Sequence, residues 1–591
     1  MKEIITVQFG TYANFVGSHF WNLQDELLGL QNDPDADPCF ANSGVNFDVL
    51  YRFGETTQGA ATYTPRLLAI DARGSLGTAN VKGSLYEQTP LVDITSVTSW
   101  HIGRRATAVV VVLELLLLYF TCASTKSLWK GQVSKHVTEP HVKNEFLKSL
   151  EQEQVEWVHQ QKRKEQADFP AGSGKSDSIC HAEHNIQKSL EESVQFWTDY
   201  SKVHFHPRSL YELEGVWHET TSLDDYGRGK GLLNGHVKED VLNRLRFFVE
   251  EADHMQGFKV LVDDSGGFAA VATEFLEAVV DEYNKTPTLL FTLRPPSSVK
   301  KSRTLQASVV RDLHDAISFS ELSKFSSCSI PLGLSSFAGM SKYLAVDDSK
   351  HFHTSAVYAA AVSCITLPLR IELSSGDPSN AVCTGAMDME SLVQVLLGRM
   401  GRRVPLMHLA MPALHIPGRE KHEAVDFSRF QPLLPGVIET DDQLASYVVV
   451  VQGSSSQDPT APPLPQDIVN FYTRKRTPFY RVSASLCPLA VPLPFPDIFT
   501  PLVASEVQPT KCKSDISSIP IATKLCTSVA ILPYLEKRLR NLQHPSGGSL
   551  GWQILERWNR QKDEVRELSE IIANSAAAYG STTRELASDS E

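Results

Sequence analysis

Gln256-Gly257-Phe258-Lys259-Val260-Leu261-Val262-Asp263-Asp264-Ser265-Gly266-Gly267-Phe268 is the stretch whose reading decides the fold. Phe258 to Val262 is an apolar run of strand length, and Gly266-Gly267 permits a tight turn into a second helix. Upstream, Val241, Leu245, Phe248, Val249 and Ala252 recur at helical spacing with Lys238, Glu239, Arg244, Glu250 and Glu251 between them. That is an amphipathic helix, and Gly257 is placed to end it. Downstream, Val271, Phe275, Leu276, Val279 and Tyr283 mark the inner face of the second helix, which Asn284 to Pro287 break before the strand Thr288 to Leu293. A helix, strand, glycine turn, helix and strand in succession predict a parallel sheet with a right-handed crossover.

Ligands of such sheets bind beyond the carboxyl ends of the strands, where a helix N-terminus offers free N–H groups to a phosphate. The turn at Ser265 to Phe268 is therefore the place to look for a nucleotide. Two glycines also serve a tight turn with no ligand at all. Asp263 and Asp264 strengthen that plainer reading, because two carboxylates repel a phosphate unless a metal intervenes.

A chain of 591 residues with 42% hydrophobic content can bury a large core and fold as two or three domains. A net charge of -13 argues against broad binding to nucleic acid. The nine cysteines (39, 122, 180, 328, 364, 383, 487, 512 and 526) include no Cys-x-x-Cys pair, so neither a disulfide framework nor a structural zinc site is expected, and a reducing intracellular setting fits. The N-terminus shows neither a secretory leader nor an Arg-rich amphipathic presequence.

Ile4, Ile5, Val7 and Phe9 predict a first strand ending at Gly10. Phe15, Val16, His19, Phe20, Leu23 and Leu27 predict a helix after it, with Asn14 as its cap. Asp33 to Gly44 reads as a loop, and Arg66 to Asp71 as a second strand.

The opening Met1 to Gly10, the run Asn14-Phe15-Val16-Gly17-Ser18-His19-Phe20-Trp21 and Tyr63-Thr64-Pro65-Arg66 before Asp71 resemble tubulin's first strand, first phosphate loop and following strand. Gln256-Gly257-Phe258 resembles the segment before tubulin's glycine-rich loop, and Val404 to Pro412 its strand after the central helix. The departures point to a branch. Ser265-Gly266-Gly267-Phe268 replaces tubulin's run of glycines with Thr and Ser, and Arg73 replaces a Glu near the magnesium. Thr11, Tyr12, Ala13 and Phe15 replace other contacts, while Gly10, Asn14 and Gly17 remain. No Asn-x-Asp element of the kind that completes a neighbouring subunit's GTPase site occurs in Gly376 to Leu392, where Asp388 and Glu390 are a distant substitute. With the wording Phe-Val-Gly-x-His-x-Trp, Tyr-Thr-Pro-Arg and His206-Pro207-Arg208-Ser209, the chain resembles the Misato family of tubulin-related proteins.

The resemblance implies a tubulin-like α/β fold: a nucleotide-binding-type parallel-sheet domain, a second mixed α/β domain and C-terminal helices. The corresponding divisions are 1–97 and 231–350 for the first domain, interrupted by an apolar insertion at 98–126 and a polar one at 127–230. Then come 351–525 for the second domain, 526–580 for a helical hairpin and 581–591 for a tail. It implies a degenerate nucleotide site at Gly10, Thr11, Asn14, Asp71, Ser265, Gly266 and Gly267, with no catalytic residue, no metal and no required cofactor. GTP is the ligand such a site would take. It also implies a role in mitochondrial distribution, morphology and fusion through protein partners at the mitochondrial surface, in the cytoplasm and on the cytosolic face of the outer membrane. Peripheral membrane association and self-association belong to the same expectation, nucleic acid does not, and a self-assembling GTPase is the alternative.

Ala106 to Ala123 is apolar apart from Glu114. As a helix it would span roughly 27 Å against a hydrocarbon core of roughly 30 Å. A membrane anchor, a buried element and an inserted segment are all open readings. Ala171-Gly172-Ser173-Gly174-Lys175-Ser176 mimics the end of a P-loop, but Phe169 stands where its first glycine is needed and no strand precedes it. Cys180, His181, His184, His204 and His206 lack a second cluster to make a metal site. Glu191 to Val203, with Phe196, Trp197 and Tyr200, reads as an amphipathic helix docking back on the core. Leu305 to Leu322, His353 to Ile365 and Ser391 to Leu397 read as helices, Gln452 to Gln466 as a flexible loop, and Val529 to Leu542 with Leu550 to Tyr579 as two helices in a hairpin.

Overall fold

The computed structural model describes residues 2–55, 61–78, 96–102, 106–108, 132–137, 141–152, 176–215, 223–299, 304–372, 382–413, 430–437, 444–453, 469, 479–503, 516–545 and 548–580. The P-loop mimic up to Lys175, the apolar run beyond Ala108, the loop from Ser454 to Gln466 and the tail 581–591 lie outside the described residues.

In chain order, β1 (Glu3–Phe9) leads straight into the long helix α1 (Thr11–Asn32). A hairpin of β2 (Tyr51–Glu55) and β3 (Ala61–Pro65) precedes β4 (Leu67–Ala72). The strands β5 (Ser96–Ile102), β6 (Ala106–Ala108) and β7 (Gln132–Val137) form a small antiparallel sheet of their own. The first three residues of the apolar run are thus strand. No helix among the described residues is long and apolar enough to cross a membrane. Helix α2 (Ser176–Ser193) leads to β8 (Leu210–Leu213), and then α3 (Gly235–Glu250), β9 (Met255–Asp263), α4 (Phe268–Glu282), β10 (Thr288–Leu293), α5 (Leu305–Lys324) and β11 (Cys328–Leu332) alternate.

Strands β11-β10-β9-β1-β4-β8 make one six-stranded parallel sheet. Its strands are mainly apolar because both faces are covered, with Thr6, Gln8 and Lys259 as buried exceptions. Ile5, Val7, Phe9, Val260 and Val262 pack with α3, α4 and α5, whereas Ile4, Leu261, Leu289 and Phe291 pack with α1 on the other face. Each such buried side chain contributes on the order of 1.5 to 3 kcal/mol. Gly257 does not end α3. That helix stops at Glu250, and Gly257 lies inside β9, where a Cβ would stand 2.3 Å from the Met389 sulfur and 2.7 Å from the Pro287 carbonyl.

Helix α6 (His351–Ile365) is buried from Phe352 to Ile365 and lies between α1 and a second sheet. Its Ala356, Ala359, Ala360 and Ala361 let both neighbours approach closely. Tyr12 donates to Thr354 Oγ1 (3.0 Å) and Gln24 to Ser363 Oγ (3.0 Å) across the α1 contact. The second sheet, whose first strand precedes α7 (Met389–Leu397), has the order β12 (Cys383–Thr384), β16 (Phe479–Ser485), β15 (Leu444–Gln452), β19 (Ile521–Ser528), β13 (Leu406–Ala410) and β14 (Gln431–Pro432). It is mixed: β15 and β16 run parallel and the other pairs antiparallel. A short ladder joins β17 (Leu489–Ala490) to β18 (Ser518–Ile519).

Three further expectations are corrected. Glu191 to Val203 is not a helix: α2 ends at Ser193, and the Asp199 carboxylate accepts the N–H groups of Gln195 (2.9 Å) and Phe196 (2.8 Å), turning the chain so that Trp197 and Tyr200 are buried. The spacing of Leu305, Val309, Leu313 and Ile317 predicts one helix face, but Leu305, which begins α5, is 72% exposed and does not share the inner face of the other three. The C-terminal region has three helices, α8 (Leu532–Gln543), α9 (Ser549–Arg557) and α10 (Lys562–Gly580), because Asn559 adopts φ 54° and breaks the second run. At its end the Tyr579 hydroxyl donates to Val404 O (2.7 Å) and accepts from Val404 N–H (3.0 Å), while Arg402 donates to Ala578 O (3.0 Å).

Candidate nucleotide site

Strand β1 delivers Gly10 to the crevice at φ 93°, a conformation that favours glycine. A Cβ here would stand 2.8 Å from both the Asp263 Cβ and the Phe268 ring. Gly10 itself caps α1, so Asn14 is not the cap but a residue of the first turn. Its side chain points to β4: Asn14 Nδ2 donates to Asp71 Oδ2 (2.9 Å) and Thr11 Oγ1 to Asp71 Oδ1 (2.9 Å). Trp197 Nε1 (3.0 Å) and the Ala72 N–H (2.8 Å) complete the set. Asp71 is 1% exposed, and burial pushes its carboxyl up to about 6 despite these four hydrogen bonds. Four of the residues singled out in the sequence thus meet at one end of the crevice, with Thr11, Asn14 and Asp71 in a closed network beside Gly10. Its further side-chain donor, Trp197, comes from a stretch that reads as a docking helix.

The glycine turn is closed as well. Asp263 accepts from Ser265 Oγ (2.6 Å), Ser265 N–H (3.1 Å) and Tyr12 N–H (3.3 Å), and burial raises its carboxyl. Asp264 is matched by Arg294, whose Nε lies at 2.5 Å and Nη2 at 3.1 Å, and Arg294 also pairs with Asp315. His314 Nε2 lies 2.6 Å from the Asp264 carbonyl. The two aspartates that argue against a phosphate are satisfied within the chain. Gly267 N–H donates to Leu223 O (2.9 Å), and Ala269 and Ala270 donate back to Gly266 and Gly267. A Cβ on Gly266 would lie 2.4 Å from Leu223 O, and one on Gly229 would lie 1.8 Å from Gly267 O. The glycines are required because the segment 223–229 lies directly on the turn. The Phe268 ring, 6% exposed, covers the Gly10 side. The N–H groups of 265, 267, 269 and 270 are bonded within the chain, and the Phe268 ring and the 223–229 segment lie against the turn.

One layer away the crevice opens. A cavity of about 240 Å³ is lined by Phe15, Glu191, Gln195, Lys350, His351 and Phe352, among others. The His351 ring sits 5.3 Å from Tyr12 and 5.6 Å from Phe15, edge to face. Burial lowers its pKa, and Asp263 opposes the shift. Burial also disfavours the Glu191 carboxylate, but hydrogen bonds from His353 (2.5 Å), Lys350 (2.8 Å) and Asp497 N–H (2.9 Å) overcome it and hold the group down at about 2. Sequence reading misses Glu191, Lys350 and His351 because they come from segments far apart in the chain.

The remaining candidates serve structure. Asp388 caps α7 through Ser391 N–H (2.9 Å) and pairs with Lys2 (2.5 Å), while Glu390 accepts from Gln394. His206 stacks on Phe247 with ring centres 4.8 Å apart, and Arg208 lies over the same ring, so the His-Pro-Arg-Ser run docks β8 on α3. Cys180, His181 and His184 lie on α2, and their side chains fall outside the described residues. No group of three or more His, Cys, Asp and Glu among the described residues could hold a metal ion.

The sequence matches two family models, a Misato Segment II tubulin-like domain over residues 2–152 and a tubulin domain over residues 187–371. Similar proteins include Protein misato homolog 1 of Danio rerio, 28% identical over 90% of this chain and 89% of the relative. The same-named protein of Homo sapiens is 26% identical over 98% of both chains. Protein misato of Drosophila melanogaster is 27% identical over 76% of this chain and 71% of its own. With this coverage and the tubulin-like arrangement of its two sheets and closing helices, the chain belongs to the Misato family of tubulin-related proteins.

Proposed function

We propose that this protein is a non-catalytic member of the tubulin-related group that acts on mitochondrial distribution, morphology and fusion through protein partners at the cytosolic face of the outer membrane. The observation that supports the non-catalytic part is the Phe268 ring and the 223–229 segment seated on the turn where a phosphate would approach. Phosphoryl transfer depends on positioned water and on charge neutralisation at the leaving phosphates. Here the donors around the turn are spent on the chain itself. The mitochondrial part rests on membership of the family. Purified protein, denatured and assayed for released guanine nucleotide, is expected to carry far less than one equivalent, and stoichiometric GDP or GTP overturns the reading.

A self-assembling, nucleotide-binding protein is the second reading, and the cavity lined by Phe15, His351 and Phe352 is the observation that favours it. Its lining joins the aromatic side chains of Phe15, His351 and Phe352 to the polar ones of Glu191, Gln195 and Lys350, a combination suited to a base with hydrogen-bonding edges. Equilibrium dialysis with radiolabelled GTP separates the two, since the first reading expects no saturable binding.

A further inference from the structure

We propose that Cys39 and Cys487 form an oxidation-responsive thiol pair that a hydroperoxide converts to a disulfide, stapling the segment after α1 to the second sheet. Cys39 lies in the single helical turn Pro38–Ala41 and is half-buried, whereas Cys487 follows β16 and is 5% exposed. The two meet in a small apolar cluster with Phe40 and Ala490 that is separate from the two main cores. The position of Cys487 is fixed: its N–H donates to Ser485 Oγ (3.2 Å), and the next residues form β17, which packs against α1. A third thiol stands close by. Cys383 is opposite Ser485 in the β12–β16 ladder, and its sulfur lies 2.5 Å from where a Cβ on Gly44 would be.

Electrostatics agree with this neighbourhood. The Cys39 thiol is the first of the groups that oppose ionisation of Cys487, burial comes second, and Asp37 and Cys383 act in the same direction. Cys487 is therefore held as a thiol, and the more accessible Cys39 is the sulfur that meets an oxidant first. Cys328, Cys364 and Cys526, by contrast, are fully buried at 0% exposure.

The chemistry balances with one hydroperoxide. The Cys39 sulfur attacks the terminal peroxide oxygen, the O–O bond breaks, and the leaving alkoxide takes up the thiol's proton as an alcohol. The Cys487 sulfur then displaces the hydroxyl of the Cys39 sulfenic acid, losing its proton and releasing water. Two thiols are oxidised together by two electrons and the peroxide is reduced by two. Asp33, Asp35 and Asp37 precede Cys39 closely in the chain and repel an anionic disulfide such as oxidised glutathione, which selects a small neutral oxidant.

The test uses the full chain, folded, treated with hydrogen peroxide, alkylated and mapped by peptide mass. The expected result is a crosslinked peptide pair containing Cys39 and Cys487, lighter by two hydrogens, with both residues lost from the alkylated pool. C39S, a change at a half-buried site, is expected to leave Cys487 fully alkylated after peroxide, and C383S is expected to keep the crosslink. A Cys383–Cys487 crosslink in place of the proposed one, or Cys39 oxidised to sulfinic acid with Cys487 still alkylatable, overturns the proposal.

Discussion

At the Gly10 end of the crevice the chain has filled its own site, whereas at the His351 end it has left room. The first end holds a phenyl ring, a peptide segment across the glycine turn and an aspartate with four donors. The second holds a cavity of about 240 Å³ bordered by aromatic rings, Glu191 and Lys350, with His353 hydrogen-bonded to Glu191 behind them. A phosphate is recognised by backbone N–H groups that must remain free, and one bulky residue beside the turn removes the approach. A cavity bordered by side chains survives many substitutions. On the proposed reading, the contrast teaches that a tubulin-like sheet can close its anion-binding turn while keeping the architecture that positions it.

The sharpest way to break this contrast is Phe268→Ala. Removing a buried ring over Gly10 is expected to lower stability by about 3 to 5 kcal/mol in chemical denaturation. Guanine nucleotide should still be absent, because the turn's N–H groups remain bonded within the chain. A Phe268→Ala protein that purifies with GDP would show that the ring alone closes the site. Next comes Asp71. Its folded-state pKa of about 6 lies above the ordinary value of 3.8, so the folded chain takes up a proton more readily than the unfolded one. That stabilising contribution is present below about pH 4 and is lost as pH rises towards 6, by up to about 3 kcal/mol. The stability difference between wild type and Asp71→Asn should therefore shrink as pH rises through that window, and a pH-independent difference would contradict it.

Glu191→Gln probes the open end. The carboxyl is held below its ordinary value of 4.5, at about 2, so the wild type's advantage is present above pH 4.5 and fades as pH falls towards 2. The expected loss at pH 7 is about 1 to 2 kcal/mol. Leu305→Ala, at an exposed position outside both ends, should change stability by less than about 0.5 kcal/mol.

Much of this can be read from residue pattern. The run from Val241 to Leu293 predicts α3, β9, α4 and β10 because each element carries an unbroken apolar face and is bounded by turn residues. Gly10, Thr11, Asn14 and Asp71 fall together because strand ends and helix starts converge at one edge of a parallel sheet. The partners that close the site are not legible. Trp197 reaches Asp71 only because Asp199 folds back the chain after α2, and a carboxylate accepting two nearby N–H groups leaves no periodic trace. Leu223 and Gly229 reach the glycine turn from a segment whose only signal is its own glycine content. The break at Asn559 depends on one residue in a left-handed conformation inside a run of good helix formers.

The paired hydrogen bonds of Tyr579 to both backbone groups of Val404 carry a consequence for variation in the gene. A premature stop after codon 580 removes nothing that these contacts use. One placed two codons earlier takes away the hydroxyl that serves the buried N–H and carbonyl of Val404, and unfastens α10 from the entrance to β13. Tolerance to truncation should therefore fall off as a step at that tyrosine, not as a slope along the last helix.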